Sequence, residues 1–150
     1  MTPQNPSPDA FDLHPNLAST SRLIADLSLS QARLQLDARF PWIVLVPRVT
    51  AAREIDDLDE LLRETLMEEI VMASHAVRAM GEALGRPVEK LNTGALGNVT
   101  PQLHVHVLGR RSDDGLWPDP VWGRGAAVAY DEATLDRMIR VASERWARAS

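Results

Sequence analysis

The chain has no cysteine at all. That excludes disulfides and every form of thiolate chemistry, catalytic or metal-binding. Positive charge is scarce as well: 16 Lys and Arg stand against 21 Asp and Glu, a formal net charge of −5. A broad nucleic-acid surface needs a basic face to meet phosphates, so no nucleic-acid partner is expected and only a small basic patch fits the count. No apolar run approaches the ~20 residues of a membrane span, and no membrane partner is expected. The amino-terminal "MTPQNPSPDAFDLHP" has neither the basic n-region nor the apolar h-region of a secretion signal. The expected location is cytoplasmic. Internal repeats are missing too.

What is present is ordinary for a globular protein. The 150 residues are 45% apolar and 25% charged, enough to bury a core in one compact domain. Residues 1–8 hold three prolines among polar residues and are expected to form a disordered tail, with a single domain over 9–150.

Ala32, Leu34 and Leu36 alternate with Arg33 and Gln35, which predicts a half-buried strand. "WIVLV", closed by Pro47, is a nearly continuous apolar run, as expected of a strand covered on both faces. With "DAR" as a turn, the two make an antiparallel hairpin. From Ile55 to Leu84 the period changes. Leu58, Leu62, Leu66, Ile70, Val77, Met80 and Leu84 draw an apolar stripe along one long helix. Asp56, Asp57 and Asp59 crowd its start, where the helix dipole favours negative charge, and Gly85 with Pro87 ends it. "VEKLN" reads as a short strand and "TGALGN" as a glycine-containing loop. "LWPDPVWGRG" is too rich in Pro and Gly for regular structure. A last helix carries Leu135, Met138, Ile139, Ala142 and Trp146 on one face, with Asp131 as its N-cap. Strands, a long helix, strands and a helix make an α+β domain with antiparallel strands, not a doubly wound parallel sheet.

The chemistry concentrates in "QLHVHVL", residues 102–108. On a strand, Gln102, His104 and His106 share one face, while Leu103, Val105 and Val107 point to the core. Residues i and i+2 stand ~6.5–7 Å apart along a strand, so two imidazoles there can address neighbouring atoms of one ligand. Imidazole offers a nucleophilic nitrogen, acid–base chemistry near neutrality and metal ligation. The preceding "GALGN" can turn backbone N–H groups and an Asn amide toward an anion. A phosphate-centred site is the economical reading. His-x-His also occurs in zinc sites, where a catalytic metal usually takes three protein ligands.

"QLHVHVLGR", with "FPWIVLVPR" upstream and "LNTGALGN" between, resembles the histidine-triad (HIT) superfamily of nucleotide hydrolases and transferases. The family signature is His-φ-His-φ-His-φ-φ, where φ is hydrophobic. The resemblance covers roughly residues 32–110, and it looks nearest to bacterial HIT-like proteins with Gln in place of the first motif histidine. It implies a HIT-like fold: an antiparallel half-barrel sheet, one long central helix and a C-terminal helix, commonly in a homodimer. It implies a small-molecule nucleotide as ligand and hydrolysis of a nucleoside phosphate ester, anhydride or phosphoramidate, such as a dinucleoside polyphosphate. His104 then matches the histidine that attacks the α-phosphorus and forms a covalent nucleotidyl-histidine. His106 matches the last motif histidine, beside the phosphate and the scissile region. Asn92 matches a side chain near ribose and phosphates, and Asn98 one that contacts phosphate oxygens. Backbone N–H groups of Gly97, Asn98 and Val99 are candidates for stabilising charge at phosphorus. Pro101 offers none. No cofactor is firmly implied, though a divalent metal is compatible.

Two departures stand out. Gln102 replaces the first motif histidine, and Trp42 occupies a position often filled by another active-site histidine. The backbone carbonyl of residue 102 survives the first exchange and can still hold a proton on one nitrogen of His104. The Gln102 amide can keep a network position without titrating. A non-catalytic or weakly active nucleotide-binding module on the same fold is the alternative. Arg110, at a strand end, is expected to be solvated, as are His14 and His75. Met67, Met72 and Met80 read as core or interface residues. Trp117 and Trp122 either cover the base or only pack.

Overall fold

The computed structural model describes residues 11–149. The expected tail at 1–8 lies outside the described residues. In chain order the elements are α1 (Pro15–Thr20), β1 (Ser21–Asp26), β2 (Ser30–Gln35), β3 (Trp42–Pro47), a 3₁₀ turn (Ile55–Asp57), α2 (Glu60–Ala83), β4 (Lys90–Gly94), β5 (Val105–Arg110) and α3 (Glu132–Ala149). The strands form one antiparallel sheet in the order β1-β2-β3-β5-β4. The α+β class and the β2–β3 hairpin are as the sequence predicts.

β3 and β5 are buried along their whole length because both faces of the sheet centre are covered. On one face Ala32, Leu34, Ile43, Leu45, Val105 and Val107 pack against Leu66, Ala73, Val77 and Met80 of α2 and Leu135, Met138 and Ala142 of α3. On the other, Trp42, Val44, Val46 and Leu108 pack with Leu17, Phe40 and Val121. The period-2 alternation of strands sorts the side chains between these two clusters. It also puts His106, which pairs with Val44, among the second set.

Four local expectations are corrected. The stretch before β3 holds two strands, not one, joined at a turn whose Leu29 and Ser30 N–H groups both donate to the buried Glu69 carboxylate. The expected helix over 55–84 begins later, at Glu60. Asp57 accepts from the backbone N–H groups of Arg53 and Glu54, and Asp59 from that of Leu62. These side chains compete with helical bonding and split off a separate turn. The expected strand over 88–92 runs instead over Lys90–Gly94. The strand expected over 102–108 starts only at Val105, so Gln102 and His104 precede it. α1 was not foreseen; His14 caps it, accepting from Asn16 N–H through Nδ1. At the far end of α2, Gly85 takes φ +70, which ends the helix.

Candidate functional site

β5 and the loop before it bring His104 and His106 together. Their rings stand 5.0 Å apart, centre to centre, at 79°. Both residues are buried, at 7% and 9% exposure. The Nδ1 of His104 lies 2.7 Å from the Gln102 carbonyl oxygen. A carbonyl only accepts, so Nδ1 carries the proton and donates it, which leaves the Nε2 lone pair of His104 free. The main chain at 102 thus does what was expected of it.

The Gln102 side chain does something else. Its Oε1 accepts from the His14 backbone N–H at 2.8 Å and its Nε2 donates to the Asp12 carbonyl at 2.9 Å. The amide is engaged with the segment before α1, while Asn16 Nδ2 donates to Thr100 Oγ1 nearby. Because the chain is not yet a strand at 102, its side chain need not share the histidine face.

His106 is enclosed by rings. Trp42 donates its indole N–H to His106 Nδ1 at 3.0 Å, with ring centres 5.5 Å apart. Trp122 lies 5.8 Å away. Gly94 is the β4 partner of His106; a Cβ there would come within 3.2 Å of the Leu96 side chain and 3.4 Å of Trp122. Burial, and then the neighbouring His104, push the His106 imidazole down to about 4. It is neutral at physiological pH. Sequence reasoning treated Trp42 as a lost histidine; that its indole still reaches His106 was not foreseen. The signal lay in the spacing, since Trp42 and His106 fall on one face of adjacent strands.

Beside His104 a cavity of about 180 Å³ is lined by Leu96, Gly97, Asn98, Val99 and Thr100. Three of the expected phosphate-loop residues, Gly97, Asn98 and Val99, are therefore at the imidazole, and Gly97 turns the loop with φ +65. Two other cavities, of about 190 and 560 Å³, contain neither histidine. Size does not select the site here; the paired imidazoles do.

Arg110 departs from expectation. Arg110 is not solvated but 1% exposed. Its guanidinium donates to Asp114, to Asn92 Oδ1 at 3.0 Å and to the Asp119 carbonyl at 2.8 Å. It shares its strand face with His106 and Leu108, so the covered face buries it, and the ion pair compensates its charge. Burial works to raise the Asp114 carboxyl, but hydrogen bonds from Arg110 and from backbone N–H groups outweigh it and hold it at about 2. The Asn92 oxygen is taken up in this network. Trp117 is 42% exposed, with the Arg110 guanidinium 5.7 Å from its ring. His75 is exposed on α2, as expected, whereas His14 is half-buried at its cap. Of the methionines, Met80 is core, Met72 is half-buried and Met67 is 57% exposed. Among the described residues no group of three or more His, Asp or Glu could hold a metal ion, and no helix is long and apolar enough to cross a membrane.

Known proteins resemble this chain in both sequence and fold. The HIT domain model matches residues 16–113. A histidine triad protein of Bradyrhizobium japonicum is 41% identical and superimposes with a TM-score of 0.82 over 90% of this chain and 97% of that one. One from Marinobacter aquaeolei is 34% identical, with a TM-score of 0.84 over 93% and 98%. A hypothetical histidine triad nucleotide-binding protein of Sulfolobus tokodaii, at 12% identity and a TM-score of 0.62 over 85% of each chain, shares the fold alone. No protein of curated function matches. With the motif strand, the sheet order and these relatives in agreement, the chain belongs to the HIT-domain family.

Proposed function

We propose that the protein is a nucleotide hydrolase or nucleotidyl transferase that cleaves a nucleoside phosphate anhydride or phosphoramidate, such as a dinucleoside polyphosphate, through a covalent nucleotidyl-His104. The observation that carries this is the single hydrogen bond from His104 Nδ1 to the Gln102 carbonyl, which leaves Nε2 as a free nucleophile beside the 96–100 loop.

In the first step His104 Nε2 attacks the α-phosphorus. The N–P bond forms as the bond to the leaving group breaks; a phosphate departs from an anhydride with that electron pair as its anion, and an amine departs from a phosphoramidate with that pair and one proton taken up from solvent. The positive charge that develops on the imidazole is held by the Gln102 carbonyl. Water then attacks phosphorus, the electron pair of the N–P bond returns to Nε2, and a proton is released. Splitting one displacement into two easier ones is the gain from nucleophilic catalysis. Backbone N–H groups of the Gly97–Val99 loop, which lines the same cavity as His104, stabilise charge on the phosphoryl oxygens in this reading, and positioning with electrostatics does most of the remaining work. The same reading implies a homodimer in the cytoplasm, with a nucleotide as small-molecule partner. A single species of monomer mass in sedimentation equilibrium would contradict the dimer.

The test is turnover on a panel of adenosine phosphoramidates and dinucleoside polyphosphates. His104→Ala is expected to lower kcat by about 10³ or more with nucleotide binding largely retained. Gln102→His is expected to bring no gain, because the side chain at 102 serves the Asp12–His14 segment. Turnover unchanged in His104→Ala would contradict the reading. The alternative, a nucleotide-binding module without catalysis, is favoured by the near-complete burial of both histidines. It predicts thermal stabilisation by nucleotides with no turnover in the wild type.

A further inference from the structure

We propose that Trp42 is a positioning residue for His106: its indole N–H fixes the imidazole as the Nε2–H tautomer, so that His106 serves beside His104 as a permanent hydrogen-bond donor. That the donor acts on a phosphate rests on the function proposed above. The tautomer itself does not.

The geometry leaves little freedom. An indole Nε1–H can donate and never accept. It points at His106 Nδ1 from 3.0 Å, in a buried setting. Nδ1 must then present its lone pair, and the one proton of a neutral imidazole sits on Nε2. A second histidine in place of Trp42 could donate or accept, so the pair could exchange tautomers and titrate. A tryptophan removes both possibilities. The surroundings agree. From β3, His106 meets Trp42 and Val44; from β4, Gly94; and from the 111–125 segment, Trp122. None of these titrates. The ionisable groups on its side are His104, 5.0 Å away, and, further along the same strand face, Arg110, whose charge Asp114 compensates. A cation on His106 would displace the indole hydrogen bond in a desolvated site, which agrees with the depressed imidazole value already noted.

The two histidines are thus set in opposite senses by donor and acceptor identity alone. A carbonyl keeps the His104 proton on Nδ1, and an indole keeps the His106 proton on Nε2. One ring offers a lone pair and the other an N–H.

The experiment is ¹⁵N NMR of the ring nitrogens in the resting protein, without substrate, from pH 5 to 8. Wild type is expected to show His106 as a single Nε2–H tautomer throughout, with a through-hydrogen-bond coupling between Trp42 Nε1 and His106 Nδ1. In Trp42→Phe, which keeps a ring but removes the N–H, His106 should become a tautomer mixture and titrate closer to an ordinary histidine. Trp42→His, which can still donate, should restore part of the Nε2–H population. In turnover, Trp42→Phe is expected to lower kcat on the order of tenfold with KM little changed, as for loss of a donor made effective in the transition state. A wild-type His106 protonated on Nδ1, or an unchanged single tautomer in Trp42→Phe, would overturn the proposal. If Trp42→Phe does not fold, the wild-type coupling decides: its absence overturns the proposal and its presence supports it. A fixed tautomer in a protein without turnover would sink the hydrolase reading alone.

Discussion

His106 is neutral in the fold and titrates only at about 4, whereas in an unfolded chain it would take its proton near 6.5. Between those values the unfolded state binds more protons, so stability falls as pH falls from 6.5 to 4 and is flat above 6.5 on this group's account. The full effect is about 3 kcal/mol. Denaturant unfolding across this window should show that slope, and His106→Asn should remove most of it. Asp37, Asp57, Asp113, Asp114 and Asp131 are all held below the ordinary carboxylate range and lose their contributions only as pH falls toward 4 and below, so the slope above about pH 5 reads His106. A slope unchanged in His106→Asn would contradict the burial of a neutral imidazole. At this scale the identities of His104 and His106 were legible, since their type and spacing announce the chemistry. The tasks of Gln102 and Arg110 were not. Which of several possible partners a polar side chain takes depends on segments far away in sequence: Gln102 reaches across to Asp12 and His14, and Arg110 to Asn92.

Elements with strong periodicity were readable, and weakly patterned ones were not. α2, α3, β2 and β3 carry apolar stripes or runs that name their type. β1 is an edge strand with Arg22 and Leu23 exposed, so its sequence has no clean alternation to show. It is held by its pairing with β2 and by Glu69 of α2, whose two oxygens accept from Leu29 N–H and Ser30 N–H at 2.9 and 3.0 Å. Glu69 is 3% exposed, so removing its carboxylate would leave two buried donors without partners. Glu69→Ala should therefore cost about 2–3 kcal/mol, read as a lower urea midpoint with an unchanged slope. Hydrogen exchange should accelerate first at the β1–β2 turn. A loss below about 0.5 kcal/mol would show that the turn stands without the carboxylate. β5 shows the opposite limit of sequence reading. Its alternation was visible, but the delayed start at Val105 was not, and that delay is what frees the Gln102 carbonyl to face the His104 ring.

For the whole molecule, the sheet order places β5 between β3 and β4, and the site follows from that position. β3 contributes Trp42, β4 contributes Gly94, and the loop before β5 contributes the cavity beside His104. The element order gave the α+β class, while the insertion of β5 depends on non-local pairing that no local pattern encodes. The central claim is that His104 is the nucleophile. Its most direct test is the intact mass of the protein, denatured rapidly under conditions that preserve phosphoramidates, during turnover of an adenosine phosphoramidate or dinucleoside polyphosphate. The expected result is a nucleotidyl adduct that is lost on acid treatment, maps to the peptide holding His104 and is missing in His104→Ala. Turnover without any such adduct in a wild-type enzyme and with undiminished rate in His104→Ala would contradict it.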